Sequence, residues 1–273
     1  MSTATKTSVA ILGVSGRMGR TLLTGIESSD SLKLSGALDS SDSRWINLDA
    51  GTLAGPSAAG VVITDDPKSA VRGAQVAINF TLPQATPSIL AACIAAKCPL
   101  VLGTTGHDKD QLAAIDAAAK HIPLVMTSNF SLGVNLLFKL AELTAKTLDE
   151  DYDIEIIEAH HRHKKDAPSG TALSLGAAAA KGRGTTLDKD AVYARHGETG
   201  ARVRGSIGFS VLRAGDIVGD HTVTFAGTGE RIELTHRASD RMSFARGALY
   251  AARWLASQPP GLYSMQDVLG LKM

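Results

Sequence analysis

The chain has 273 residues, with 28 Lys and Arg against 27 Asp and Glu, a formal net charge of +1. That balance excludes a nucleic-acid coat, which needs a strong basic excess, and it excludes an acidic solvating tail. With 44% hydrophobic and 20% charged residues the composition is globular, with room for one large domain or two ordinary ones; aromatics are only 4%, so Ala, Val, Leu and Ile must fill the core.

The first residues, MSTATKT, are polar, and the apolar run that follows is closed by Gly13, too short for the core of a signal peptide. Residues 8–12 (SVAIL) read as a buried strand, 13–19 as a glycine-rich turn, and 17–28 as a helix through Met18, Leu22, Leu23 and Ile26. A second strand at 32–38 ends in Asp39, and 40–60 is a Gly-, Ser- and Ala-rich loop. Then come a short strand at 61–64, a short helix at 68–72, a strand at 76–80 (VAINF) and a helix that Pro83 opens and that runs to Lys97. The longest apolar run, 89–96, lies in this helix and falls far short of the roughly 20 residues of a membrane span. Cys93 and Cys98 form neither a CxxC motif nor a disulfide framework, so two buried thiols in a reducing cytoplasm are expected. A strand at 99–102 ends in GTTG, Asp108 caps a helix through His121, and 122–126 is another strand. Strands alternating with helices in this way predict right-handed βαβ units and a parallel sheet.

The pattern then changes. Residues 133–148 form a long amphipathic helix, 153–158 (DIEIIE) a half-exposed strand, and 169–181 an Ala-rich helix. Three β-like stretches in 203–237, RGSIGFSVLR, DHTVTFAG and RIELTHRA, predict an antiparallel meander, and 240–257 is an Arg-studded helix. The fold class expected is therefore α/β: a Rossmann-like parallel-sheet nucleotide-binding domain over 1–130, an α+β domain over 131–239, and a C-terminal segment 240–273 that returns to the first domain.

Two segments carry chemistry. Gly13, Val14, Ser15, Gly16, Arg17, Met18 and Gly19 stand between a strand and a helix, where glycine lets the backbone approach a pyrophosphate and the helix N-terminus offers free N–H groups. The spacing is G-x-x-G-x-x-G, which a plain structural turn also satisfies. Its place after the first strand favours a dinucleotide, as does Asp39, 20 residues past Gly19, where a carboxylate can accept from ribose hydroxyls. The residues after it are Ser40, Ser41 and Asp42, and the nearest Arg on the loop is Arg44, so NADH or dual use is expected over strict NADPH use. Two later strand ends, Gly103-Thr104-Thr105 and Ser128-Asn129-Phe130, lie where a doubly wound sheet lines its ligand crevice; ordinary turn chemistry is the alternative.

The second segment, EAHHRHKKDAPSGTA, spans 158–172 and holds His160, His161 and His163 among Arg162, Lys164 and Lys165. Crowded cations depress histidine pKa values and call for an anion. Pro168-Ser169-Gly170-Thr171 opens the following helix, a second anion-binding N-terminus, so a small substrate with two acidic groups is expected. A zinc site, a solvated basic loop and a polyanion patch are the alternatives; the H-H-x-H spacing splits neighbouring histidines between strand faces and no Cys or close-set carboxylate completes a tetrahedral set, so no metal is expected.

Together GVSGRMGR, VLGTTG, SNFSLGVN and EAHHRHKKDAPSGTA, with IGFSVLRAGDIVGDHTVTF and the terminal SMQDVLGL, resemble the dihydrodipicolinate reductase family, the 4-hydroxy-tetrahydrodipicolinate reductases of bacterial lysine and diaminopimelate synthesis. The resemblance covers nearly the whole chain. It implies reduction of 4-hydroxy-tetrahydrodipicolinate, a cyclic dicarboxylate, to tetrahydrodipicolinate with NADH or NADPH and loss of water. It implies His160 as the acid/base residue and Lys164 as a second proton donor, His161 on a substrate carboxylate, and Gly170 and Thr171 holding a carboxylate. It implies cofactor binding by Gly13, Val14, Ser15, Gly16, Arg17 and Met18, by Asp39, by Gly103, Thr104 and Thr105, and by Thr127, Ser128, Asn129 and Phe130. A cytoplasmic homotetramer built through sheet contacts, free of membrane and nucleic acid, is expected, with Ile207, Phe209 and Val211 on the face that needs covering. The sequence departs from the pattern at Ser40, where some members have Arg, and at Asn79-Phe80-Thr81, where many have Asp-Phe-Thr.

Overall fold

The structure, a computed structural model, describes residues 6–55 and 57–271. The polar residues 1–5, Pro56 in the loop after the second strand, and residues 272–273 lie outside the described residues. Two compact units emerge, one of residues 1–131 with 241–273 and one of residues 132–240.

In the first unit, β1 (Thr7–Leu12), β2 (Leu32–Leu38), β3 (Ile63–Thr64), β4 (Val76–Asn79), β5 (Leu100–Leu102) and β6 (Pro123–Met126) alternate with α1 (Arg17–Glu27), α2 (Pro67–Val71), α3 (Thr86–Ala96) and α4 (Lys109–Ala118). The seventh strand, β12 (Gly261–Tyr263), is added by the end of the chain, and the order across the sheet is β12-β6-β5-β4-β1-β2-β3 with every pairing parallel. A sheet buried on both faces must be apolar along its strands. Accordingly β4 and β5 are buried at every position. On one face Ala10, Leu12, Ala77, Leu100 and Leu102 share a cluster with Ile89, Cys93 and Ile115 of the helices. The strand order reverses between β1 and β4, and such a switch point opens a crevice at the carboxyl ends of those strands. Pro83 opens a short 3-10 turn, Pro83–Ala85, before α3 takes over at Thr86. The thiols of Cys93 and Cys98 are free and buried.

The C-terminal segment belongs to this unit through α8 (Met242–Leu255) and α9 (Met265–Val268). The helix α8 lies so close to its neighbours that a Cβ at Gly247 would come within 1.7 Å of the Phe130 carbonyl, and one at Gly25 within 2.7 Å of Leu249. No helix among the described residues is long and apolar enough to cross a membrane.

The second unit holds α5 (Leu132–Thr147), β7 (Asp153–His160), α6 (Gly170–Gly182), α7 (Leu187–Asp190), β8 (Ala191–Val192), β9 (Ile207–Arg213), β10 (Gly219–Ala226) and β11 (Arg231–Ala238). Its sheet runs β11-β10-β7-β9-β8. The expected meander is therefore wrong in one place. The strand β9 does not pair with β10; β7 lies between them, antiparallel to β10 and parallel to β9. The reason is the crossover: α6 joins β7 to β9, and a helical crossover delivers a parallel neighbour. The chain then passes over the end of β7, where Ala214 N–H donates to His160 O at 2.9 Å, and returns as β10 on the other side.

The expectation that the face bearing Ile207, Phe209 and Val211 awaits a partner subunit also fails. Ile207 and Phe209 are buried in the unit's own core with Ile154, Ile156, Val223, Phe225 and residues of α5 and α6. Helix α6 approaches so closely that a Cβ at Gly176 would meet the Phe209 ring at 2.7 Å. Val211 alone of the three is exposed. The face left open is the opposite one, where Ile157 and Leu212 are 49% and 52% exposed.

Candidate active site

In the first unit the glycine turn follows β1 as the sequence predicts. Gly13 has φ +85°, which L side chains rarely adopt, and its N–H donates to Leu38 O at 2.9 Å, fastening the turn to the end of β2. A Cβ at Gly19 would fall 2.3 Å from Gly13 O, so only glycine lets α1 start this close to the turn. The result is a cradle that ends on a helix N-terminus, where unpaired N–H groups and the positive end of the helix dipole face an anion. A cavity of about 500 Å³ opens beside it, lined by Gly13, Ser15, Gly16, Asp39, Phe80 and Thr81 among others. Asp39 stands at its edge, accepting from Ser40 N–H at 3.0 Å and Ser43 Oγ at 2.8 Å. These features suit a dinucleotide: backbone for the pyrophosphate, a carboxylate for a ribose.

Val14 is fully buried, its N–H bound to Leu38 O at 3.0 Å, so it anchors the turn. Arg17 is exposed at the start of α1 and Met18 half-buried. The ends of β5 and β6 meet at Phe80. A Cβ at Gly103 would lie 2.2 Å from the Phe80 ring, Thr104 Oγ1 donates to Thr81 O at 2.9 Å, and the Phe130 ring stands edge-on to Phe80 at 5.7 Å. Thr105 and Ser128 are exposed. Thr127 and Asn129 hold the β6 turn, with Asn129 N–H on Thr127 Oγ1 at 3.2 Å and Ser131 N–H on Asn129 Oδ1 at 2.8 Å. Arg44 is stacked on Trp45 at 4.7 Å, with Arg20 near the same ring at 5.2 Å.

The second unit gathers the histidine-lysine segment around the end of β7. Strand alternation puts Glu158 and His160 on the inner face, and both are buried. His160 Nδ1 lies 2.5 Å from Glu158 Oε2. Arg213, at the end of β9, grips both oxygens of Glu158 at 2.9 and 2.8 Å, and Ser169 N–H donates to Oε1 at 2.9 Å. Burial pushes the Glu158 carboxyl pKa up, but Arg213, His160 and the Ser169 N–H together hold it below the usual carboxylate range. Burial also lowers the pKa of His160, against the pull of Glu158 and with help from Lys164 and Arg213. An ionised Glu158 only accepts, so His160 Nδ1–H donates to it and Nε2 is left to exchange a proton.

Lys164 pairs with Asp166 at 2.9 Å. The Nδ1 of His161 is buried without a hydrogen-bond partner, and its ring lies 6.3 Å from that of the exposed His163. Ser169 caps α6, its Oγ accepting from Ala172 N–H at 3.1 Å, so Gly170 and Thr171 form the first turn. A Cβ at Gly170 would meet nothing within 4 Å, which leaves open space over that helix end. Thus His160, Lys164, Gly170 and Thr171 converge on one end of the sheet.

Three contributors escaped sequence reasoning: Arg213, His221 and Gly219. His221 Nε2 is 3.1 Å from Ser169 Oγ, and its ring meets His160 edge-on at 5.1 Å. Burial, then the charge on His160, lowers its pKa to about 3, so it stays neutral. These three stand more than 50 positions beyond their partners, and only the pairing of β7 with β9 and β10 brings them in. Glu158 was legible, since it lies two residues from His160 on a strand.

Comparison with known proteins identifies the family. The profile described as "Dihydrodipicolinate reductase, N-terminus" matches residues 7–130, and that described as "Dihydrodipicolinate reductase, C-terminus" matches 133–269. The 4-hydroxy-tetrahydrodipicolinate reductase of Alkalilimnicola ehrlichii is 56% identical over 265 residues, covering 97% of this chain and 99% of that one. The enzyme of the same name from Thiobacillus denitrificans is 56% identical over 264 residues, covering 97% and 98%. Among solved structures, a dipicolinate-bound dihydrodipicolinate reductase from Paenisporosarcina sp. TG-14 superimposes with a TM-score of 0.76 at 25% identity, covering 95% of this chain and 97% of that one. The chain belongs to the dihydrodipicolinate reductase family of NAD(P)H-dependent oxidoreductases.

Proposed function

We propose that this chain reduces 4-hydroxy-tetrahydrodipicolinate to tetrahydrodipicolinate with loss of water, in the cytoplasm, and that His160 and Lys164 manage its protons. The dinucleotide is assigned to residues 1–130 with 240–273, and the dicarboxylate to 131–239. When bound, the reduced nicotinamide supplies a hydride. The glycine turn and Asp39 bind and orient it, with Gly103, Thr104, Thr105 and the 127–130 turn completing the pocket.

The observation that carries the reading is the convergence of a neutral, buried His160 with Lys164 and the open first turn of α6. Loss of water, the hydroxyl together with a proton from the neighbouring ring carbon, gives a conjugated imine. A hydride added to its electrophilic carbon would send electrons to the ring nitrogen, and the enamine so formed must be protonated on carbon to give the imine of tetrahydrodipicolinate. His160 takes up a proton at Nε2 and delivers it to that carbon, while Lys164 contributes a full positive charge and the second proton, which leaves with the hydroxyl as water and is replaced by the one the ring carbon loses. Gly170 and Thr171 hold one carboxylate by N–H and hydroxyl, and the unpartnered Nδ1 of His161 supports a role on the other.

A homotetramer is part of the same reading. The open sheet face with exposed Ile157 and Leu212 supports an interface there. NADH is proposed to serve at least as well as NADPH, because Ser40 brings no cation beside Asp39 and Arg44 is engaged on Trp45. The test is loss of NADH absorbance while dihydrodipicolinate synthase makes the substrate in situ. Oxidation that depends on the synthase is expected. NADH binding without turnover would overturn the reading and point to a binding module.

A further inference from the structure

The proton chemistry proposed for His160 needs a ring held in one tautomer, and the group that holds it reaches beyond the histidine-lysine segment to Arg213 on β9. Glu158 is the centre. Its side chain has no exposed surface, yet it carries a full complement of donors: two from Arg213, one from the main chain of Ser169 and one from His160 Nδ1. A buried carboxylate with paired, directed donors is fixed in place, and breaking such a set costs far more than a surface pair does.

We infer that Glu158, clamped by Arg213, is a positioning residue that locks His160 with its proton on Nδ1 and ties it to the N-terminus of α6. The tie is direct, because Ser169 both caps α6 through its hydroxyl and donates its own N–H to Glu158. One carboxylate therefore sets the tautomer of the acid/base group and the seat of the substrate-binding turn. Arg213 adds a second brace by donating to Asp166 O at 2.6 Å, and Asp166 in turn holds Lys164. This inference rests on the reading of His160 as the acid/base residue.

The charges around His160 decide the sign of the test. Glu158 on β7 favours its protonated form; Arg213 on β9 and Lys164 in the 161–169 segment oppose it. Asp166 is paired with Lys164, and His221 on β10 is neutral. Replacing Glu158 by Gln removes the one favourable charge and leaves both cations. The pKa of His160 must then fall further, by about one unit or more for a charge at this distance.

The experiment is a titration of 13C-labelled histidines by NMR in the full protein, with the His160 signal assigned by its loss in His160→Ala, run beside the pH profile of kcat. Glu158→Gln should lower the His160 midpoint by about one unit or more, release the Nδ1-protonated tautomer, and shift the acid-dependent limb of kcat to lower pH by the same interval. Turnover at pH 7 should drop at least about tenfold while NADH affinity is unchanged. Glu158→Asp keeps the charge but retracts it, so it should show a smaller shift in the same direction, and it serves if the Gln variant does not fold. An unmoved His160 midpoint and tautomer in both variants overturns the inference. Normal turnover in His160→Ala would instead end the acid/base reading, and the NMR result would still say whether Glu158 holds the ring.

Discussion

The α-carbon of Gly219 faces the imidazole of His160: a methyl group there would stand 3.1 Å from Nε2 and 3.4 Å from Cδ2. Nε2 is the nitrogen left free once Nδ1 is held by Glu158, so the absence of a side chain keeps the exchanging atom uncrowded. Because His160 is held at 2.5 Å from the other side, it cannot retreat without giving up that bond. Gly219→Ala should therefore cut kcat by about tenfold, while NADH binding stays as it was. Steady-state kinetics beside cofactor fluorescence checks it. Unchanged kcat would mean that β10 yields instead of the ring.

The open space over Gly170 makes a clean probe of the anion seat. A Cβ there meets no atom within 4 Å and the backbone is not left-handed, so Gly170→Val should fold normally. Its branches would cover the N–H groups of the first turn of α6. Losing one charged hydrogen bond costs about 1.5–3 kcal/mol, or about 10- to 150-fold. Dipicolinate affinity, measured by calorimetry, should fall by that factor with NADH affinity intact. Equal dipicolinate binding in both proteins would remove the carboxylate from this helix end.

These two glycines show what sequence reasoning reaches. The turn at Gly13, the strand-helix alternation of the first unit and the cap at Ser169 are local, and each follows from residues within a few positions of one another. The parallel sheet was legible for that reason. Gly219 was not, because its partner is 59 positions away and the two meet only through the pairing of β7 and β10. The misplaced β9 has the same origin. Apolar alternation identifies a strand and one of its faces, but it does not say which neighbour a crossover will deliver, and so it cannot tell that Ile207 and Phe209 belong to a core and not to an interface.

Cofactor preference turns on the residues after β2. Ser40 Oγ is engaged with Asp42 and Arg44 lies on Trp45, so neither of these residues sets a cation beside Asp39 to receive a 2′-phosphate. NADH should match or exceed NADPH in kcat/KM. Ser40→Arg should move the ratio toward NADPH by up to about tenfold, equivalent to about 1.4 kcal/mol. A strong NADPH preference in the unaltered protein would contradict this and would require Arg44 to leave Trp45.

Assembly through the open sheet face predicts that charge placed there separates the subunits. Ile157 and Leu212 occupy adjacent strands on that face, by the register that sets Ile157 opposite Ser210 and Ala159 opposite Leu212. A double Ile157→Glu, Leu212→Glu variant should lower the mass seen by light scattering from that of a tetramer, with the fold of each unit kept, since neither side chain belongs to the core. A tetramer that persists would move the interface elsewhere; a monomeric unaltered protein would refute the assembly itself.

Acid should destabilise the second unit before its carboxylates titrate. Its inner sheet face carries His160, His221 and His236, each with a pKa lowered chiefly by burial, that of His221 to about 3. A histidine that resists protonation when folded, but not when unfolded, lets the unfolded chain bind the proton first. Its stabilising contribution is thus present above the unfolded pKa of about 6.5 and is lost as pH falls below it. Glu158, whose folded pKa is depressed, adds its own loss only nearer the unfolded carboxylate value of about 4.3. Between pH 7 and 5 the histidines therefore dominate, and His221 alone should forfeit about 2 kcal/mol by pH 5. His221→Gln keeps a polar group opposite Ser169 Oγ and cannot titrate, so its melting temperature should start lower at pH 7 and fall less steeply toward pH 5. Calorimetric scans of both proteins across that window decide the matter: parallel curves would mean that His221 titrates as an exposed histidine does, and that the buried row is open to water.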